Sequence, residues 1–94
     1  MPIELRKATF ERNDETIELS VSHFGFSVVH IATQNNIPTI WYETVVDPVI
    51  TKIAKFKLLR SNTNIPEYSQ HVGSVHVDYE EWGGEVVWHI YQLQ

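Results

Sequence analysis

Apolar and polar residues alternate along two segments of the chain. Apolar residues at positions 75, 77 and 79 alternate with polar residues at 74, 76 and 78, and residues 16–21 repeat the pattern. Successive side chains of a β-strand point to opposite faces, so this period predicts strands with one buried and one exposed face. Residues 3–10 and 24–34 are two further predicted strands, and the second is rich in the aromatic and β-branched residues that suit a sheet.

Two short polar or glycine-rich segments predict turns between strands. Asn35-Asn36 separates the strand 24–34 from the apolar segment 37–42, and because Asn tolerates positive φ angles we expect a β-hairpin there. Gly83-Gly84 predicts a second turn, which leads into the segment 85–91. Both alternating sets of that last segment are largely apolar, so we expect a strand that is covered on both faces or lies at a subunit interface.

The segment 47–60 is compatible with two structures. Asp47-Pro48 is a suitable start for a helix, and the apolar residues at 49, 53 and 56 have helical spacing. Alternation of apolar and basic residues over 54–58 favours instead a strand from about Lys52 to Arg60. We therefore expect an all-β fold of about seven short, mainly antiparallel strands in a small barrel or sandwich, with one short helix within 47–60 as the alternative.

Length and composition limit the organisation of the protein. The 94 residues, 43% of them hydrophobic, predict a single domain over 1–94. The sequence has no Cys, which excludes disulfides and thiolate chemistry, and it has neither a signal-peptide pattern nor an apolar run of roughly 20 residues. We expect a soluble cytoplasmic protein without membrane contact. A small domain without cross-links gains from self-association, so we also expect a homo-oligomer.

The charged residues indicate which kinds of partner the chain can bind. With seven Lys and Arg and a net charge of −5, the chain is not expected to bind DNA non-specifically. The one basic concentration comprises Lys52, Lys55, Lys57 and Arg60, and on a strand Lys55 and Lys57 would share a face. Together with Trp82, an aromatic residue expected at the surface, the basic side chains from Lys55 to Arg60 are candidates to bind an anionic ligand by charge and stacking. The alternative is a solvated strand edge whose charges discourage aggregation.

The remaining polar residues give no catalytic signature. His76 and Asp78 share a strand face, but a metal site needs at least a third ligand, so we expect surface side chains there. His30 and His89 fall on strands expected to be buried, where structural hydrogen bonds are commoner than catalysis, and Trp41 is expected in the core. Neither a nucleophile elbow nor a phosphate-binding glycine loop occurs. We predict no enzyme, no metal and no cofactor.

Several motifs carry a family resemblance. They are Gln-Asn-Asn-Ile-Pro-Thr-Ile-Trp at 34–41, Val-Asp-Pro at 46–48, His-Val-Gly-Ser-Val at 71–75 and Gly-Glu-Val-Val-Trp-His-Ile-Tyr at 84–91. In order and spacing the chain resembles a family of short, mostly phage-encoded proteins of unknown function. It departs from that family at Asn36, where a turn Gly is usual, and at 61–64, where Ser-Asn-Thr-Asn replaces a Gly-Thr-Gly loop. The resemblance implies a viral origin, a compact β fold and action in the cytoplasm of a bacterial host.

These observations lead to one functional hypothesis and an alternative. The hypothesis is a non-catalytic phage accessory protein that binds a host component. It would inhibit host defence by sequestering an anionic nucleotide signal or by occluding a host protein. The alternative is a minor structural protein of the virion or of its assembly.

Overall fold

The computed structural model describes residues 2–12, 15–46, 50–79 and 84–94, and they form seven strands in two sheets. The strands are Ile3–Thr9 (β1), Thr16–Ser22 (β2), Phe26–Gln34 (β3), Ile37–Val45 (β4), Thr51–Arg60 (β5), Gln70–Tyr79 (β6) and Gly84–Leu93 (β7). Sheet A has the order β1-β4-β3 and sheet B the order β2-β5-β7-β6. Every pairing is antiparallel.

This architecture confirms the all-β prediction and decides between its alternatives. The two sheets do not close into a barrel, and their inner faces pack on each other as in a β-sandwich. Over Thr51–Arg60 the strand interpretation is confirmed and the helix alternative is wrong, whereas residues 47–49 lie outside the described residues. In the described part of the chain no helix is long and apolar enough to cross a membrane.

The core lies between the inner faces of the sheets, where alternate residues of each strand meet. Phe56 on β5 and Ile40 on β4 have no exposed surface, and Trp88 on β7 is almost fully buried. Around them pack the other buried apolar residues, namely Phe10, Leu19, Val21, Tyr42, Ala54, Leu58, Val75, Val77 and Ile90. The prediction that both faces of β7 are buried is confirmed for the face that carries Trp88. On the outer face it is confirmed only in part, because residues 87, 89 and 91 are half-buried.

Two residues of sheet A lie elsewhere than predicted. Trp41 is half-buried on the outer face of the sheet rather than in the core, and His30 beside it is exposed. Their ring centroids are 5.3 Å apart. For His30 the cause is a β-bulge between Val28 and His30, which changes the face to which the following residues of β3 point. Trp41 points outward because it lies between Ile40 and Tyr42, whose side chains are buried on the inner face of β4.

The predicted hairpin between β3 and β4 is confirmed, and its turn binds the other sheet. Asn35 and Asn36 have φ angles of 53° and 62°, as a two-residue hairpin turn with two left-handed residues requires. The Asn36 side-chain Nδ2 donates to the Asp78 carbonyl at 2.6 Å, and the Asp78 N–H donates to Asn36 Oδ1 at 2.9 Å. The Asn36 amide thus occupies backbone groups at the edge of β6.

A second bulge, in β6, shapes the outer face of sheet B. The register with β7 shifts between His71 and Gly73, so His71 and Ser74, three residues apart, both point outward. Gly73 points inward at this place, and a Cβ there would lie 2.9 Å from Cδ1 of Ile31 in β3. Glycine therefore allows the two sheets to approach each other beside the bulge.

We expect Phe56→Ala to lower the free energy of unfolding by about 3–5 kcal/mol, since it removes a fully buried ring and leaves a cavity. The exposed Ile53 on the same strand provides the matched control, and Ile53→Ala should cost under about 1 kcal/mol. Urea denaturation measures both. Equal costs for the two variants would contradict the inward and outward assignment of β5.

At the hairpin turn, we expect Asn36→Gly to destabilise the fold by about 1 kcal/mol, because it keeps the positive φ but removes both hydrogen bonds to β6. Asn36→Ala should cost about 1 kcal/mol more, since alanine also disfavours the left-handed backbone. Denaturant midpoints of the two variants give this order directly. A glycine variant that is no more stable than the alanine variant would show that the backbone conformation does not matter here.

Candidate ligand-binding site

The structure places two of the predicted ligand-binding residues together. Ala54, Phe56 and Leu58 of β5 point into the core, so Lys55 and Lys57 share the outer face of sheet B, as predicted. Lys55 is exposed, and its Nζ lies 3.9 Å from Glu18 Oε1 across β2, a weak surface ion pair. Lys57 is half-buried and has Tyr91 of β7 as its cross-strand partner.

The other two predicted residues are placed differently. Arg60 pairs with Trp88 and follows the inner alternation of β5, so its side chain starts from the opposite face to Lys57. Its guanidinium carbon lies 5.6 Å from the centroid of the Trp88 ring, within the range of a cation–π contact. Arg60 nevertheless borders the outer face of sheet B, because it ends β5 where the chain enters a loop. Trp82 lies outside the described residues.

A chain of hydrogen bonds crosses the outer face of sheet B beside Lys57. The imidazole of His89 shares one hydrogen bond with the Ser74 hydroxyl through Nδ1, at 2.7 Å, and one with the Ser61 hydroxyl through Nε2, at 3.2 Å. Ser74 Oγ also lies 3.1 Å from Nε2 of His71. The Ser74 hydroxyl has one hydrogen and can donate to only one of the two rings, so at least one of the imidazoles donates its N–H to Ser74 Oγ.

These side chains line an open groove of about 450 Å³ between the sheet and the loop that follows β5. Leu59, which is almost fully buried, contributes to its floor, and Asn62 and Thr63 of the loop contribute to its wall. The loop is held by a hydrogen bond of 2.6 Å from Thr63 Oγ1 to the Arg60 carbonyl and by a left-handed Asn62 with φ of 67°. The groove is thus built from the three strands β5, β6 and β7 and one loop.

The lining of the groove combines polar side chains with the apolar side chains of Leu59 and Ile65. The polar lining residues carry hydroxyl, imidazole, amide and guanidinium groups, and none of the described lining residues is Asp or Glu. The His71 ring meets the Tyr91 ring edge-on, with centroids 5.3 Å apart, and Lys57 lies on the other side of Tyr91. Donors and cations without carboxylates suit an anion, and the rings suit a planar group beside it.

The serine–histidine pairs also have the separation of a nucleophile and its base. In hydrolases a third group, usually a carboxylate, orients the imidazole. Here Nε2 of His89 meets a second serine instead. Among the described residues, moreover, no group of three or more His, Asp or Glu is placed to hold a metal ion.

The basic residues are predictable from the sequence, whereas the chain of hydrogen bonds beside them is not. His89 was expected on a buried strand, whereas it is half-buried and faces the groove, and His71, Ser74 and Ser61 had no assigned role. The alternation of β7 places His89 and Tyr91 on one face, so the sequence pattern was sufficient to predict that these two side chains lie together. The bulge in β6, which brings His71 and Ser74 beside them, has no signature in the alternation.

The fold and groove define a small two-sheet β-sandwich with a donor-lined groove on its four-stranded sheet. The chain belongs to the family described as Domain of unknown function (DUF7352), which matches residues 1–94. Neither the curated proteins nor the solved structures contain a significant match. The family match agrees with the resemblance to an uncharacterised family and assigns no ligand.

Proposed function

We propose that this protein is a non-catalytic binding protein, made by a bacteriophage, that acts in the cytoplasm of the bacterial host. In this proposal the groove on sheet B holds a small anionic ligand, such as a nucleotide that serves as a signal in host defence. Sequestering the ligand would keep it from its host receptor. The observation that carries the proposal is the donor-rich lining without carboxylates around His89 and Ser74.

The polar groups of the groove match the chemistry of a phosphate. The hydroxyls of Ser61 and Ser74 and the imidazoles of His71 and His89 supply N–H and O–H donors when their mutual hydrogen bonds rearrange. Arg60 lines the same groove and adds a permanent positive charge. Hydrogen bonds between charged groups and phosphate oxygens are among the stronger ones in proteins.

Size and shape support a small ligand. The volume of about 450 Å³ falls within the range of small-molecule sites, which is about 300–1,000 Å³. Tyr91, half-buried beside Lys57, offers a ring on which a nucleobase can stack. The groove thus combines donors for a phosphate with an aromatic surface for a base.

We expect a nucleotide from a panel of mono-, di- and cyclic nucleotides to raise the melting temperature of the protein. At a concentration about 100 times its Kd a ligand stabilises by about 2.7 kcal/mol, which corresponds to a rise on the order of 10 °C for a domain of this size. Differential scanning fluorimetry measures the rise. No rise with any nucleotide or with inorganic phosphate would contradict the proposal.

Single substitutions test whether the ligand binds in the groove. Ser74→Ala removes a hydroxyl that lines the groove, and Lys57→Glu reverses the charge beside Tyr91, which lines it, so each should weaken binding about tenfold or more. Lys55→Glu is the matched control, with the same change of charge on the same face but paired with Glu18 away from the groove, and we expect a loss of under about threefold. Equal losses for the two lysine variants would indicate general electrostatic attraction instead of a site.

The same samples test the absence of catalysis. After prolonged incubation the bound nucleotide should be recovered unchanged by mass spectrometry. Turnover that Ser74→Ala abolishes would show that the Ser74–His89 pair is a catalytic pair and would overturn the non-catalytic proposal.

A virion or assembly component is the second candidate function. The observation that favours it, and equally favours occlusion of a host protein, is the exposed apolar surface of sheet A, where Ile3, Leu5 and Val29 are exposed. Mass spectrometry of purified virions decides the structural alternative, because a component should be present at stoichiometric level.

A further inference from the structure

Strand β1 presents free backbone groups along one side. Two hydrogen bonds continue its pairing with β4, from Phe10 N to the Pro38 carbonyl at 3.0 Å and from Val46 N to the Pro2 carbonyl at 2.9 Å. Both involve even-numbered residues of the N-terminal segment. In an antiparallel pair the backbone groups of alternate residues point to the same side, so the N–H and C=O of Ile3, Leu5 and Lys7 point to the free edge of sheet A.

We propose that β1 pairs with β1 of a second copy of this chain. The two strands lie antiparallel about a two-fold axis at Leu5, and the pairing joins the two A sheets into one six-stranded sheet of order β3-β4-β1-β1-β4-β3. Leu5 lies opposite Leu5 of the second copy, and Ile3 lies opposite its Lys7. Backbone hydrogen bonds between these pairs use the free groups of the edge.

Charge favours this register over those centred on a charged residue. With the axis at Leu5, Glu4 of each copy lies opposite Arg6 of the other, in non-hydrogen-bonded pairs whose side chains are closest. An axis at Glu4, Arg6 or Lys7 would instead place that residue opposite itself, with like charges in contact. Charged residues often prevent the pairing of edge strands, but Glu4 and Arg6 differ in sign and attract each other in this register.

The side chains needed for this contact are accessible. Within one chain Arg6 Nε and Glu4 Oε1 form an ion pair of 2.7 Å, and both side chains are substantially exposed, so each can also reach a second copy. On the other face of β1, Ile3 and Leu5 are 66% and 62% exposed. The pairing brings the two Leu5 side chains together and places Ile3 along the aliphatic part of Lys7 of the second copy.

The other edges of the two sheets are less suited to pairing. The edge of β6 is occupied at Asp78 by the Asn36 amide, and β3 has a bulge at Val28–His30 that interrupts a regular edge. The edge strand β2 is regular, but its exposed outward side chains, at positions 16, 18 and 20, are polar. Among the described strands β1 thus combines a regular free edge with exposed apolar side chains.

Analytical ultracentrifugation of the full chain tests the proposal. The wild-type protein should sediment with about twice the mass of 10.9 kDa at concentrations of tens of micromolar. Glu4→Arg and Arg6→Glu should each lose the dimer, since like charges then face each other across the axis. When the two variants are mixed, a heterodimer should form. In this mixture one chain carries positive charges at positions 4 and 6, and the other carries negative charges at both positions. Opposite charges therefore face each other between the chains, although the ion pair between positions 4 and 6 within each chain remains broken.

Two further variants complete the test. Leu5→Pro removes an N–H that points to the free edge and none that bonds to β4, so it should give a monomer with an unchanged circular dichroism spectrum. Glu67→Arg makes the same change of charge as Glu4→Arg at an exposed loop position and should remain a dimer. The proposal is overturned by a monomeric wild type, by a dimer that persists in Leu5→Pro, or by a mixture of the charge variants that stays monomeric.

Discussion

The pairing of β7 with both of its neighbours determines the core and the groove together. β7 lies between β5 and β6, so its hydrogen bonds fix the register of both. One set of its side chains, Trp88 and Ile90, is buried against sheet A, while His89 and Tyr91 point outward between side chains of the same neighbours. A register slip of one residue would exchange the two faces, so packing that selects Trp88 for the core also positions His89 in the groove.

The bulge in β6 places two side chains on the same face that regular strand pairing would separate. In a regular strand His71 and Ser74 would point to opposite faces, because they are three residues apart. The extra residue between His71 and Gly73 puts both on the outer face, where Ser74 bonds His89 and His71 meets Tyr91. Gly73 makes the local geometry compatible with the packing of Ile31 from sheet A. The groove therefore depends on the bulge in β6. The two sheets can pack at this bulge because Gly73 has no Cβ to clash with Ile31.

The sequence predicts the parts of this fold that follow a regular period or a specific turn chemistry. Alternation was sufficient for β2, β5 and β6, and the Asn35-Asn36 pair was sufficient for the hairpin between β3 and β4. Alternation was also sufficient to place Lys55 and Lys57 on one face. It failed for His30, which follows a bulge, because a bulge inverts the faces without changing the types of residue nearby.

Other predictions were wrong because the burial of a side chain depends on which face of its strand packs against the second sheet. The two alternating sets of β7 are similarly apolar, so the pattern alone could not show that His89 lies at an open groove while Trp88 is enclosed. Arg60 was grouped with the lysines by sequence proximity, but residues an odd number of positions apart lie on opposite strand faces, and its guanidinium instead packs near Trp88. The loop residue Ser61 approaches His89 only through the tertiary fold.

Two asparagines show how backbone constraint and side-chain chemistry combine. Asn36 has φ of 62° and Asn62, in the loop after β5, has φ of 67°. Asparagine tolerates this left-handed conformation, so the backbone can be kept while an amide is added. At position 36 the amide binds β6, and at position 62 it lines the groove. Glycine would tolerate the same backbone at both positions but would provide neither the hydrogen bonds to β6 nor the polar side chain at the groove.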